Sequence, residues 1–145
     1  MLSQSELEQA VAKAQRSSAT FNLELHSKDH PKQLGFTKSR AKYRTASCSR
    51  RAGKSEGCAG LLLDPVLTKP GAVALYLTKT RINAKRIIWA ILKRLNRVYA
   101  LGGNPKEAEL CIEFPNGSAI YLGGVNTKDE IEKFRTPALR KLHGR

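Results

Sequence analysis

The sequence predicts an α/β protein in which helices flank a sheet. One observation is a continuous apolar run at residues 71–78, GAVALYLT, typical of a strand buried on both faces, as in a parallel sheet. Another is the stretch from Arg81 to Gly102, in which apolar side chains recur with a helical period between basic ones. A third is the alternating pair of segments within residues 109–124, which predicts a β-hairpin. Strands that alternate with helices favour an α/β sheet with right-handed crossovers.

Net charge is the property of the chain that bears most directly on its partners. The 145 residues, about one domain in length, include 26 Lys and Arg against 12 Asp and Glu, a formal net charge of +14. A surface this basic attracts polyanions, which include nucleic acid, nucleotides and acidic membranes.

The cysteines and the N-terminus bear on the compartment. Cys48, Cys58 and Cys111 lack metal-ligand spacing, so we expect reduced thiols and no zinc site. The N-terminus carries acids where a signal peptide needs bases, and no apolar run approaches the roughly 20 residues of a membrane span. These observations predict a cytoplasmic protein that does not enter a membrane.

The first third of the chain predicts short elements. Residues 3–16 indicate a helix, because Ser3 and Glu6 form a capping box ahead of an apolar stripe. Residues 17–31 are polar and end at a proline, which is typical of a linker. Residues 33–44 favour a short helix or turn, and residues 42–48, KYRTASC, alternate well enough to predict a short strand.

The remaining elements follow the same patterns. A buried helix is expected from Lys54 until just before Pro65, ahead of the strand at 71–78. A hairpin turn is expected at Pro115-Asn116-Gly117, a better interpretation of the Asn-Gly-Ser sequence than a glycosylation site in a chain that is not secreted. Residues 127–135 predict a capped helix. On the long amphipathic helix, Ile87, Ile88, Ile91, Leu92 and Leu95 are expected to face inward, and Lys85, Arg86, Lys93, Arg94 and Arg97 outward.

A glycine- and arginine-bearing loop lies between the strand predicted at 42–48 and the helix that follows it. A phosphate-binding loop needs small residues whose N–H groups converge on phosphate, a helix that starts there, and a Lys and a hydroxyl for the terminal phosphates and Mg²⁺. Gly53, Lys54 and Ser55 match these positions, whereas Cys48 stands where the first glycine is expected. The alternative is a basic turn before a helix.

Five motifs in the same order support the phosphate-loop interpretation. They are SRRAGKS at 49–55, LTKTR at 77–81, AKRIIW at 84–89, the PNGS hairpin with its glycines at 115–124, and Phe-Arg at 134–135. Together, over about residues 30–135, they resemble the ATPase domain of phage terminase large subunits, the motors that package viral DNA.

The resemblance implies a fold and a set of site residues. The fold would be a partial P-loop NTPase sheet of the RecA/ASCE-like type, flanked by helices and carrying a β-hairpin insertion. It would span residues 31–135, after an N-terminal helix and linker at 1–30 and before a divergent tail at 136–145. The implied ligands are ATP and Mg²⁺. Lys54 would contact the phosphates and take part in catalysis, Arg50 or Arg51 would sense phosphate charge, and Ser55 would ligate the metal ion. The backbone that would cradle the phosphates is that of Ser49, Arg50, Arg51, Ala52 and Gly53. Gln33 would recognise adenine, although it could equally be a surface glutamine.

The resemblance also has departures that limit the expected activity. In the family, Phe-Arg is usually followed by Gly and then by an apolar strand ending in Asp-Glu, which holds Mg²⁺ and activates water. In this sequence Thr136 follows Phe-Arg in place of the glycine, and no apolar strand ending in Asp-Glu comes after it. The acid pair Asp129-Glu130 is better interpreted as helix capping. We therefore expect a chain truncated before the Walker B segment, which binds ATP but hydrolyses it poorly.

Partners and alternative functions follow from the same observations. The resemblance implies double-stranded DNA bound without sequence preference, a portal protein, a small terminase subunit and a homo-oligomer when full length. Two alternatives remain open. One is a non-catalytic nucleic-acid-binding module that uses the basic helix Arg81 to Arg97, and the other is a different, helicase-like P-loop ATPase.

Overall fold

The fold is taken from a computed structural model that describes residues 3–10, 22–23, 30–132 and 134. The predicted tail at 136–145 and most of the predicted linker at 17–31 lie outside the described residues. Residues 4–10 are helical, and the capping box is confirmed, because the Ser3 N–H donates to Glu6 Oε2 at 2.9 Å.

The main body alternates helices and strands. Its elements are α1 (Pro31–Lys38), α2 (Lys54–Thr68), β1 (Val73–Thr78), α3 (Arg81–Ala84), a π-helical turn (Lys85–Trp89), α4 (Ala90–Val98), β2 (Asn104–Lys106), β3 (Cys111–Glu113) and β4 (Ala119–Gly124). Residues 128–132 and 134 are helical.

The described strands form one mixed four-stranded sheet with the order β1-β4-β3-β2. β1 is parallel to β4, with Val73 opposite Ala119 and Thr78 opposite Gly124, whereas β4 with β3 and β3 with β2 are antiparallel. The α/β class, the flanking helices and the β3–β4 hairpin are therefore confirmed. The sequence did not predict β2, whose three residues include Pro105.

β1 is parallel as predicted, but its predicted burial on both faces is wrong. Ala74, 8% exposed, is its only buried residue, and 43% of Leu77 is exposed. The reason is position, because β1 lies at the edge of the described sheet. The heavily buried strand is β4, where five of six residues are buried.

The predicted strand at residues 42–48 is also wrong. These residues belong to no strand of the described sheet, and every residue from 40 to 52 is exposed. Within residues 42–48 the apolar side chains are Tyr43, Ala46 and Cys48, and the Tyr43 side chain is 82% exposed. Such a segment has too little apolar surface on either face to stabilise pairing with the sheet.

The helix after Lys54 runs further than predicted. It continues through Pro65 to Thr68, whereas the sequence predicted an end before the proline. The last turn is maintained by the Lys69 N–H, which donates to Pro65 O at 3.0 Å, and by Val66, which is fully buried. Burial of an apolar side chain offsets the hydrogen bond that a proline removes.

The basic helix, which we define as residues 81–98, departs from its predicted inward face at one position. Ile88, Leu92 and Leu95 are buried as predicted, but 42% of Ile87 is exposed. The π-helical turn spans this position, and its wider spacing aligns Trp89, 2% exposed, with the core instead. All five cations predicted to face outward are exposed.

The hairpin turn is tied to the carboxyl end of α2. Asn116 Nδ2 donates to Val66 O at 2.8 Å, and Ser118 Oγ donates to Lys69 O at 2.9 Å. Gly117 adopts a φ of 81°, which the turn requires. The predicted turn at Asn116 is thus confirmed. Since α2 ends at the start of β4, its N-terminus points toward the carboxyl ends of β1 and β4, the edge at which α/β sheets bind ligands.

Of the acid pair after β4, Glu130 takes part in helix capping, the role that the sequence predicted for the pair. The Asn126 N–H donates to Glu130 Oε2 at 3.2 Å, and the Glu130 N–H donates to Thr127 Oγ1 at 3.3 Å. The Thr127 hydroxyl thus caps the start of the helical residues 128–132, and the Glu130 carboxylate accepts from the residue before Thr127.

Candidate nucleotide-binding site

The loop that precedes α2 has two residues with left-handed backbone. Gly53, the N-cap of α2, has a φ of 76°, and Arg51 has a φ of 62°. No side chain caps the helix among the described residues, and the first intrahelical bond runs from the Gly57 N–H to Gly53 O at 3.0 Å. The N–H groups of the first helical turn are therefore available to an acceptor, at the positive end of the helix dipole.

The ammonium of Lys54 lies over this loop. Its Nζ donates to Cys48 O at 3.0 Å and to Ser49 O at 3.0 Å, so the side chain folds back across residues 49–53. Both partners are neutral carbonyl oxygens. A phosphate oxygen offered at the same place would form a stronger, charge-assisted hydrogen bond.

Gln33 connects α1 to the loop. Its Nε2 donates to Gly53 O at 2.6 Å, while its Oε1 is buried and has no hydrogen-bond partner among the described residues. A buried amide oxygen without a donor costs free energy, so it marks a position where a ligand N–H would be favourable. Gln33 can reach Gly53 because Gly57, one turn further along α2, has no side chain to block it. A Cβ added at Gly57 would lie 3.0 Å from Gln33 Cγ.

These groups line one cavity of about 540 Å³, within the ordinary size range of ligand pockets. Of the predicted site residues, the structure brings together Gln33, Ser49, Ala52, Gly53 and Lys54 at this cavity. Arg50, Arg51 and Ser55 do not line it; the two arginines are exposed and Ser55 is half-buried in the first turn of α2. The other lining residues are Lys32, Phe36, Ala46, Ser47, Cys48, Gly57 and Cys58.

Gly57, Cys58 and Phe36 were missed by the sequence analysis. Gly57 carried a usable signal, because a glycine inside a helix usually marks a close approach, here by Gln33. The sequence around Cys58 and Phe36 carried no comparable signal. Burial raises the pKa of the Cys58 thiol, and the nearby Cys48 adds to the rise. Cys58 therefore stays protonated at neutral pH and brings no negative charge to the cavity.

The basic helix is less available as an anion site than its sequence indicated. Lys85 Nζ lies 2.9 Å from Glu107 Oε1, and Lys93 Nζ lies 3.4 Å from Glu107 Oε2. The hydrogen bond from Lys85 is the chief reason that the pKa of Glu107 falls to about 2. Arg94 pairs with Glu56 on α2. Acidic side chains thus offset three of the helix's cations.

The described residues show neither a metal cluster nor a membrane-spanning helix. They contain no group of three or more His, Cys, Asp or Glu side chains placed to hold a metal ion. Nor do the described helices include one of the length and apolar character that crossing a bilayer requires.

Comparisons with protein-family models, with curated proteins and with solved structures return no match to this chain.

Proposed function

We propose that this chain binds ATP with Mg²⁺ at the loop before α2. The observation that carries the proposal is that one cavity at the N-terminus of a 15-residue helix is lined by Gln33, Ser49, Ala52, Gly53 and Lys54. An uncapped helix N-terminus, a lysine folded over the loop and a buried amide oxygen without a donor are complementary to a nucleotide.

Each group has a role in the proposed complex. The N–H groups of the first turn of α2 and of the loop hold phosphate oxygens. Lys54 exchanges its two carbonyl partners for the β- and γ-phosphates, and the Ser55 hydroxyl is the protein ligand for Mg²⁺. Gln33 keeps its bond to Gly53, and its Oε1 accepts a hydrogen bond from the exocyclic amine of adenine.

The ordered motifs extend this proposal to a larger function. Their resemblance to terminase large subunits supports the ATP-binding portion of a motor that packages double-stranded viral DNA. In that setting the portal protein, the small terminase subunit and further copies of the chain are the proposed partners. We assign nucleotide binding to this chain and no catalytic role to Glu130, of the acid pair Asp129-Glu130, because it serves as a helix cap.

Nucleic-acid binding without a nucleotide is the second candidate, favoured by the net charge of +14. A helicase-like P-loop ATPase would share the proposed loop chemistry. Binding of ATP separates the first of these alternatives from the leading proposal, because a purely nucleic-acid-binding module has no use for the cavity beside Gln33.

The test is titration of fluorescent ATP with Mg²⁺ into the wild type and the Lys54→Ala variant. We expect affinity to fall about 30- to 1000-fold, the equivalent of roughly 2–4 kcal/mol for a lost charge-assisted contact. Lys69→Ala is the matched control, because Lys69 is an exposed lysine just beyond the opposite end of the same helix. Equal affinities for wild type and Lys54→Ala, with the fold intact by circular dichroism, would refute the proposal.

A further inference from the structure

One of the two strongly basic stretches of the chain leads into α2; the other is the basic helix. Residues 31–55 contain eight Lys and Arg and no Asp or Glu, so this sixth of the chain contributes +8 of the formal net charge of +14. All residues from 40 to 52 are exposed. We define the basic segment as residues 38–51.

Three arginines of the basic segment have no ion pair within the part of the chain that the structure describes. Among the described residues, no carboxylate lies within ion-pair distance of Arg40, Arg50 or Arg51. Lys42 Nζ lies 5.4 Å from the centroid of the exposed Tyr43 ring, a contact that leaves its charge intact. Asp64 lines the same open cavity of about 660 Å³ as Arg40 without pairing with it.

The basic helix differs in this respect. Lys85 and Lys93 share Glu107, and Arg94 pairs with Glu56. Its exposed cations without an ion pair to a described carboxylate are Arg81, which donates to Ala108 O, Arg86 and Arg97. A polyanion that binds there must compete with existing carboxylates, whereas Arg40, Arg50 and Arg51 have no competing carboxylate among the described residues.

Both ends of the basic segment are held in place. Arg44 Nη1 donates to Thr37 O at 3.0 Å and to Phe36 O at 3.3 Å, which caps the carboxyl end of α1. At the other end, Lys54 holds Cys48 O and Ser49 O at 3.0 Å. These hydrogen bonds fix the backbone of the segment near Arg44 and near Ser49, so its exposed cations are held at defined positions.

We propose that the basic segment is the surface through which this chain binds nucleic acid, by contact with backbone phosphates. This inference rests on the proposed function only for the choice of DNA as the partner. Nucleic acid suits the segment better than a lipid surface, because the segment carries little apolar surface to enter a bilayer; its only large apolar side chain is Tyr43. Arg50 and Arg51 extend the surface to the nucleotide loop, so DNA and ATP would bind side by side.

The test compares two double variants that each remove two charges. Arg40→Gln with Lys42→Gln alters the basic segment, and Arg86→Gln with Arg97→Gln is the matched control on the basic helix. Binding of a labelled DNA duplex is measured by fluorescence anisotropy over a series of salt concentrations. We expect the slope of log K against log salt to become shallower by about 1.8 in the first variant, since each lost phosphate contact accounts for about 0.9, and by less than half of that in the control.

Three outcomes would overturn the inference: equal changes in both variants, a larger change in the control, or no change in either. It would also be overturned if the Arg40→Gln, Lys42→Gln variant lost binding to phosphatidylserine vesicles more than binding to DNA. ATP titration of the same proteins separates this inference from the proposed function, because Arg40 and Lys42 do not line the cavity beside Gln33. Wild type that binds DNA as expected but not ATP would contradict only the proposed function.

Discussion

Arg50 and Arg51 are adjacent in the proposed phosphate loop but differ in backbone conformation. Arg51 adopts a φ of 62°, in the left-handed region that non-glycine residues rarely enter, whereas Arg50 is not among the residues with a positive φ. The chain turns between them, so both guanidinium groups cannot approach one phosphate group in the same way. Strained backbone of this kind often occurs where a ligand is bound.

We therefore predict unequal effects of Arg50→Ala and Arg51→Ala on ATP–Mg²⁺ affinity. One variant should lose about tenfold, near the 1.5 kcal/mol at the lower end for a charge-assisted contact, and the other should change little. The measurement is the same fluorescent ATP titration, with circular dichroism to confirm the fold. Two weak effects would mean that the loop's resemblance to the terminase motif is superficial.

Part of the candidate site could be predicted at this scale and part could not. Gly53 and Lys54 were recognisable because a loop that precedes a helix needs a residue tolerant of positive φ and a cation near the helix N-terminus. The contact of Gln33 with Gly53 spans 20 residues and depends on the packing of α1 against α2. No local pattern encodes that packing, so only the family resemblance pointed to Gln33.

At the scale of elements, the crossover between β1 and β4 depends on a close backbone approach. An added Cβ at Gly124, the last residue of β4, would lie 2.5 Å from Arg81 N and 2.8 Å from Thr80 C. Both atoms are backbone atoms at the start of α3, so neither can rotate away. The Thr80 hydroxyl also accepts from the Asn83 N–H at 3.2 Å, which fixes this helix start.

We predict that Gly124→Ala destabilises the fold by about 1–3 kcal/mol, the usual cost of overpacking. Gly35→Ala is the control, because nothing lies within 4 Å of a Cβ at Gly35 in α1, and alanine there should stabilise the helix by roughly 0.5–1 kcal/mol. Urea denaturation of both variants measures the two effects. A Gly124→Ala protein as stable as wild type would show that α3 and β4 are not packed as described.

Elements with strong local patterns were predicted well, and elements that depend on partners were not. The hairpin and the basic helix have turn chemistry and periodicity that leave few alternatives. The predicted strand at 42–48 rested on a weak alternation, and whether such a segment pairs depends on what it could bury. The burial of β1 was misjudged for a related reason, because an apolar run indicates a strand but not whether that strand lies at an edge.

At the scale of the whole molecule, the loop at residues 49–53 and the basic segment form one continuous surface. The surface is tied to α1 by Arg44, which donates to Thr37 O, and to α2 by Lys54. The hairpin turn holds the other end of α2 through Asn116 and Ser118. The α/β class and the hairpin are established, while the P-loop assignment remains a proposal based on the loop, the cavity and the ordered motifs. The account's central claim is that ATP–Mg²⁺ occupies the loop before α2.

The most direct measurement of that claim is a titration of ATP–Mg²⁺ into the isotopically labelled chain, followed by two-dimensional amide NMR. The account predicts the largest shifts in the backbone N–H groups of residues 49–57 and in the side-chain amide of Gln33, since these line or border one cavity. Residues of the hairpin turn, at the opposite end of α2, should change little. Shifts confined to the basic helix, or none at saturating nucleotide, would contradict the claim.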